Sequence, residues 1–350
     1  MNSRTFILLV FSLFYLSRPV WPQKLPVKDE PGSSLAGVMF YNVENLFDIK
    51  NDSLKNDEEF LPEGPRRWTY TRMKSKLTGI ARVILNAGEW NPPVLVGLCE
   101  VENRWVVSNL IWETGLNNLG YRFVHFESPD ERGIDVALLY LESRFKVLKT
   151  YPVSIDLGEQ NRPTRDVLYV KGLLDRTDTL HVMVNHWPSR LGGVASSHWK
   201  RETAAKRVKQ IADSVFQINS KALLLLMGDF NETPDSELFK DILQAGGVDD
   251  DGIMVNMALS LNKNIGTIKH QQIWSIFDYI MASRSLVDGS SVIQLNESDM
   301  NIIDLPFLLE TDPVYGGLKP YRTYRGFRYQ GGFSDHLPVW INLMVKKTGQ

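Results

Sequence analysis

The chain has 350 residues, 43% of them apolar and 11% aromatic, which is ample for one large core. No repeat or low-complexity stretch points to a solenoid or a disordered protein. A formal charge of −2 excludes the basic footprint of a tight non-specific nucleic-acid binder, and the single cysteine, Cys99, excludes an intrachain disulfide.

Residues 1–23 carry Arg4 and an apolar run over 6–16, the pattern of a signal peptide. The run is shorter than the roughly 20 apolar residues of a membrane span. An exported protein with no other membrane anchor is expected, with cleavage between Trp21 and Lys24. Removal of the segment leaves 37 basic and 41 acidic residues, a charge of −4. Residues 24–350 contain no Pro/Gly/Ser-rich linker and read as one domain.

A strand is expected over 36–42, followed by a polar turn and a loop over 48–64. Trp68, Met73, Leu77, Ile80 and Ile84 lie near helical spacing, which predicts a helix over 65–87. Pro92 and Pro93 precede a strand that ends at Glu100, with Cys99 as a small buried residue within it. A helix is expected over 104–118, then strands over 123–126, 134–141 and 145–153. A hairpin joins 167–174 to 180–185 around Asp175-Arg176-Thr177-Asp178. Ala204, Val208, Ile211, Ala212 and Val215 share one face of a helix over 198–217. The run 222–227 is apolar on both faces and reads as a buried strand. A short helix from Asp235, a strand over 273–281 and a last strand after His336 complete the chain. Strands joined in part by helices and in part by short turns predict a mixed-sheet α/β fold.

Six segments place polar groups at the ends of these apolar runs. They are Tyr41-Asn42-Val43-Glu44-Asn45, Leu98-Cys99-Glu100-Val101-Glu102-Asn103, Glu131-Arg132-Gly133-Ile134-Asp135, Val184-Asn185-His186-Trp187-Pro188-Ser189-Arg190, Met227-Gly228-Asp229-Phe230-Asn231-Glu232 and Ser334-Asp335-His336. Singly, each has an ordinary reading as a turn residue, a helix cap or a packed core histidine. Jointly, carboxylates, amides and two histidines can converge on one rim of a sheet. The Gly331-Gly332 pair before Ser334 permits a left-handed backbone and close approach there. Carboxylate and amide oxygens suit Mg²⁺ or Mn²⁺, and no cysteine cluster or His-Glu-x-x-His suggests zinc. A hard metal, acid–base histidines and an oriented water together describe phosphate-ester hydrolysis.

On Gly228-Asp229-Phe230-Asn231, Ser334-Asp335-His336, Asn-Val-Glu-Asn at 42–45 and Cys-Glu-Val-Glu-Asn at 99–103, the chain resembles the endonuclease/exonuclease/phosphatase superfamily, over nearly all of its length after residue 36. The resemblance implies a four-layer α/β sandwich of two mixed β-sheets flanked by helices, deoxyribonuclease I-like, with the site at one edge. It implies Glu100 as the main metal ligand, with Glu44 and Asp335 beside it and Asn42 in support. Asp229 matches the carboxylate that orients the attacking water, and Asn231 the amide that contacts the phosphate. His336 matches the phosphate-facing histidine and Asp278 the carboxylate that orients it. His186 matches a second histidine, and Arg132 an arginine that reaches the phosphate.

Tyr315, Tyr321, Tyr324, Phe327 and Tyr329 alternate with Lys319, Arg322, Arg325 and Arg328 just before the Ser-Asp-His turn. Such interleaving can stack on bases and hold phosphates. Arg190, Tyr324 and Arg325 are therefore expected, with Arg132, to bind substrate. The expected function is an exported, monomeric, metal-dependent phosphodiesterase of endonuclease type. The alternatives are a phosphatase or phosphodiesterase for a lipid head group or sugar phosphate, and a non-catalytic binding protein.

Overall fold

A computed structural model describes residues 33–88, 91–261, 265–295 and 300–346 of the chain. The segment 1–23, read above as a signal peptide, lies outside them. No helix among the described residues is long and apolar enough to cross a membrane.

The apolar runs form two seven-stranded mixed sheets. In the first, β1 (Ser33–Leu46) pairs parallel to β2 (Leu95–Val101) and antiparallel to the C-terminal strand Val339–Lys346. Next to β2, the antiparallel hairpin of β3 (Tyr121–His125) and β4 (Asp135–Leu141) completes that side. The second sheet runs from β5 (Phe145–Val153) through β6 (Val167–Leu174), β7 (Asp178–His186) and β8 (Leu223–Asp229) to the strand Asp278–Ser283. There β7 and β8 are parallel, joined by helix α3 (Val194–Ile218) as a crossover. Helices α1 (Tyr70–Ala87) and α2 (Arg104–Trp112) pack against the first sheet.

The inner faces of the two sheets share one core. They approach so closely that a Cβ on Gly97 would meet the Met227 sulfur of the other sheet at 2.5 Å. Val94, Leu95, Val96, Leu98 and Leu223 to Met227 are buried, as continuous apolar runs demand. Cys99 is fully buried, and burial pushes its thiol pKa well up, so it packs as a small apolar group.

Four elements differ from the periodicity reading. The helix expected over 104–118 ends at Trp112 and gives way, after the extended Thr114, to a 3-10 turn, Gly115–Leu119. Helix α1 begins only at Tyr70, because Thr69 is extended (φ −88°, ψ 161°), although Trp68 is fully buried and donates its indole N–H to the Phe47 carbonyl. The run 273–281 is two strands, Ile273–Ser275 and Asp278–Ser283. Between them the N–H groups of Phe277 and Asp278 both turn to the Thr267 hydroxyl, which takes them out of a ladder. After Asp235 a single turn of π-helix, Leu238–Ile242, stands where a short helix is expected.

Candidate active site

Parallel pairing brings the C-terminal ends of β1 and β2 together, and likewise those of β7 and β8. Asn42 faces Cys99 in register, and His186 faces Asp229. The two antiparallel partners start at this same rim. Asp278 lies opposite Asp229, and His336 sits three residues before the strand that pairs with β1. One edge of the sandwich thus collects side chains from both sheets.

The backbone there departs from regular strand. The register between β1 and β2 shifts across 42–46, and Glu44 (φ 50°), Asn45 (φ 55°), Glu100 (φ 61°) and Asn231 (φ 50°) are all left-handed. Such conformations cost roughly 1–3 kcal/mol each and concentrate where side chains must be re-aimed. The Gly pair does what its sequence suggests. Gly331 has φ 75°, and a Cβ on Gly332 would strike the Tyr321 carbonyl oxygen at 2.2 Å.

Asn42 is the hub of the cluster. Fully buried, it donates from Nδ2 to Glu100 Oε1 (3.3 Å) and to Asp229 Oδ2 (3.0 Å), while its Oδ1 accepts the Glu44 N–H. The Asn45 N–H donates to Glu100 Oε2 (3.0 Å). His186 Nε2 lies 3.9 Å from Glu100 Oε1 and 3.7 Å from Asp229 Oδ2. His336 Nδ1 meets Asp278 Oδ2 at 2.7 Å, and its Nε2 lies 3.9 Å from Asp229 Oδ2. The Ser334 hydroxyl ties this turn to the Asn42 carbonyl (2.7 Å) and accepts the His336 N–H (3.1 Å). Asn231 donates its N–H to Asp229 Oδ1 and its amide to the Trp187 carbonyl.

Electrostatics separate the two histidines. Burial, with Arg165 and Arg132 nearby, holds the His186 pKa well below its ordinary value. Burial also opposes a charge on His336, but Asp278, Asp229 and Asp335 outweigh it and hold that pKa well above. Burial and the neighbouring Asp278 raise Asp229 to about 7. At neutral pH the rim therefore holds one neutral imidazole, one imidazolium and a carboxyl close to its own titration.

A divalent metal fits this donor set. Glu100 and Asp335 keep 16% and 28% of their side-chain surface exposed, and both offer hard oxygen. Asp229, Asp278 and His336 also bring ligand atoms within 4.8 Å of one another. We read that trio as a hydrogen-bonded relay, since the imidazole Nδ1 is engaged by Asp278.

Three expected roles need correction. Glu44 is not disposed as a metal ligand. Arg322 donates from Nε (3.0 Å) and Nη2 (2.9 Å) to its Oε1, and the Thr323 N–H donates to its Oε2 (2.8 Å), so a resident guanidinium stands where a cation would. Arg322 also reaches Asp335 Oδ2 at 2.8 Å, so that only Asp335 Oδ1 stands clear of the guanidinium to meet an ion. Tyr324 cannot stack on a base. It is 3% exposed, packed on Trp68 and Tyr329, with its hydroxyl donating to the Arg66 carbonyl. Arg325 pairs with Glu310 at 3.1 Å instead of facing the rim cluster. Arg190 is drawn to the Asn231 carbonyl and to Glu232, while Arg132 stays half-exposed.

The sequence reading missed Lys76, Arg165 and Thr267. Lys76 is buried under the turn, donating to Thr323 Oγ1 (2.5 Å) and to the Phe333 carbonyl. Its one legible signal is position, since it lies on the apolar stripe of Met73, Leu77 and Ile80 where a lysine has no ordinary place. Burial lowers its pKa to about 8.

Two mixed sheets with a carboxylate–histidine–amide cluster at one shared edge define a class: the α/β-sandwich phosphoesterases. Residues 37–345 match the model of the endonuclease/exonuclease/phosphatase family, and the chain belongs to it. No protein of curated function matches the sequence. Solved structures with the same fold include a mannosyl-6-phosphatase from Bacteroides thetaiotaomicron (12% identity, TM-score 0.57, 88% of this chain and 99% of that one). The catalytic domain of human nocturnin with bound sulfate is similar at 17% identity and TM-score 0.52, covering 90% and 96%. D. rerio TDP2 complexed with single-strand DNA product is similar at 14% identity and TM-score 0.54, covering 89% and 99%.

Proposed function

We propose that this hydrolase of phosphate esters is an exported, monomeric phosphodiesterase that depends on Mg²⁺ or Mn²⁺, with nucleic acid as its first substrate class. The observation that carries the chemistry is the buried hydrogen-bond chain from Glu100 through Asn42 to Asp229, with the His336–Asp278 pair set against it. Glu100 and Asp335 would hold a divalent ion, whose charge would polarise the phosphate oxygens. Asp229, fixed by Asn42 and the Asn231 N–H, holds the attacking water and takes its proton. His186 and His336, each with Nε2 turned toward Asp229, donate to the oxygens on which charge accumulates. Asp278 orients His336.

The diester reading is supported by two cavities of about 220 and 580 Å³ that share Asn56 and Arg132. One includes Asn45, which donates to Glu100, and the other includes Arg165 beside His186. The two cavities meet at Arg132, which lies near His186, and leave room there for a substrate group beside the rim. A second reading, a sugar-phosphate monoesterase, is favoured by the burial of Tyr324, which removes an expected base platform.

The test is hydrolysis by residues 24–350 with Mg²⁺ or with EDTA, on plasmid DNA, single-stranded RNA, bis(p-nitrophenyl) phosphate and mannose 6-phosphate. Metal-dependent cutting of nucleic acid, lowered about 10²–10³-fold in kcat by Glu100→Ala, is the expected result. Turnover of the monoester alone transfers the assignment to the second reading. Turnover that survives EDTA and Glu100→Ala overturns the metal assignment.

A further inference from the structure

Outside the rim, the base of the β3–β4 connection gathers a second set of ligand-type side chains. His125 ends β3, Asp135 begins β4, and Glu127 lies two residues into the connection between them. One ligand atom from each of the three lies within 4.8 Å of the other two.

The imidazole is unusual. The His125 side chain is 1% exposed, yet its Nε2 has no hydrogen-bond partner. That nitrogen lies 3.2 Å from Asp135 Oδ2 without the geometry of a hydrogen bond. Two atoms sharing a tetrahedral ion at ~2.0 Å each sit ~3.3 Å apart, so the separation is that of two ligands of one metal. Glu127 Oε1 stands 3.9 Å from the other ring nitrogen, and its 58% exposure gives an ion a way in.

The local charge also calls for a cation. Asp135 Oδ1 accepts the Ser128 N–H at 2.9 Å, and its carboxyl also reaches that of Glu127. Asp166, whose Oδ1 is buried without a partner, lines with Asp135 a cavity of about 10 Å³, room for one water or ion. Two carboxylates, Asp135 and Glu127, thus flank the imidazole, with Asp166 across the small cavity from Asp135, and an unpaired buried carboxylate is costly.

We propose that His125, Glu127 and Asp135 form a second cation site, distinct from Glu100 and its neighbours. Its mixed imidazole and carboxylate donors suit Zn²⁺. The ion clips the base of the connection 126–134, the segment that carries Arg132 to the catalytic rim. It thereby steadies a substrate-facing arginine without touching the reaction.

The probe is Zn²⁺, titrated by calorimetry into EDTA-stripped protein, with Tm followed in parallel. The comparison is made in the Glu100→Ala background, where the catalytic ion is weakened. Glu100→Ala is expected to keep one tight Zn²⁺ site and a Tm that rises on Zn²⁺ addition. Adding Glu127→Gln, an exposed change that spares the fold, is expected to weaken that binding at least tenfold and abolish the rise. Asp135→Asn provides a second reading of the same loss. Zn²⁺ binding by Glu100→Ala/Glu127→Gln as tight as by Glu100→Ala overturns the proposal, because the imidazole then serves only as an ion-pair partner. Uptake of no Zn²⁺ by Glu100→Ala overturns it as well. Neither result bears on hydrolysis at Glu100.

Discussion

Replacing Arg322 with alanine removes the guanidinium that stands between two site carboxylates. Three charge-assisted bonds go with it, at 3.0 and 2.9 Å to Glu44 and at 2.8 Å to Asp335. Glu44 is 4% exposed, so its charge is left with the Thr323 N–H and the nearby Lys76. Breaking a fully buried pair costs about 3–5 kcal/mol. Arg322 keeps 42% of its side-chain surface exposed, and solvent screening reduces the cost to about 2 kcal/mol. Unfolding entropy for a domain of this size is about 0.7 kcal/mol/K, so Tm is expected to fall by about 3 °C. Burial and Asp335 already raise the Glu44 pKa, and losing Arg322 raises it further. A carboxyl that binds its proton more tightly when folded destabilises at high pH and recovers as pH falls. Urea unfolding at pH 8 and pH 5 is the assay, and the deficit is expected to shrink at pH 5. Arg322→Lys is expected to recover less than half of the loss, because an ammonium lacks the planar fork that spans both carboxylates. A deficit below about 0.5 kcal/mol at pH 8, or one that grows on acidification, refutes the reasoning.

Asp278→Asn removes the carboxylate that orients His336 at 2.7 Å and holds its charge, so kcat should drop about 10³-fold or more. Because the His336 pKa then falls, the pH-rate profile of the residual activity should lose its alkaline side at a lower pH than in wild type. His181, whose Nδ1 meets the Tyr169 hydroxyl at 2.6 Å, is lowered to about 4 by burial and by Lys171. The unfolded chain protonates it below about pH 6.5, so its contribution is complete above that pH and is lost toward pH 4. Discounted for solvent access, the loss is about 2 kcal/mol, and thermal melts of wild type and His181→Phe over pH 4–7 should show the variant losing less. Tyr324→Phe deletes a 3.0 Å bond to the Arg66 carbonyl and a contact with the Arg72 side chain, and should cost about 1 kcal/mol in urea while leaving kcat/KM unchanged. A tenfold loss of kcat/KM would return Tyr324 to the substrate.

Much of the architecture was legible along the chain, because a buried strand must be apolar on both faces and an amphipathic helix must repeat near 3.6 residues. The runs at 94–98 and 223–227 and the face of α3 follow those rules. Their ends were less legible. Thr69 starts α1 five residues later than the periodicity suggests, and a single hydroxyl, Thr267, breaks the run 273–281. The site could be located because parallel pairing and short turns send chemically loaded strand ends to the same edge.

What no local pattern contains is the partner of each charged group. The stretch 315–329 reads as alternating rings and cations. Only packing shows that Tyr324 is spent on the core, that Arg325 pairs with Glu310, and that Arg322 turns inward to Glu44 across 278 residues of sequence. Lys76 and His125 look ordinary in sequence, and their significance lies in burial among groups far away in the chain. Composition and periodicity therefore determine which residues must be buried and which strand ends must meet. Contacts across the fold decide which of those side chains remain free to meet a substrate, because the low dielectric of the interior compels every buried charge to find a partner.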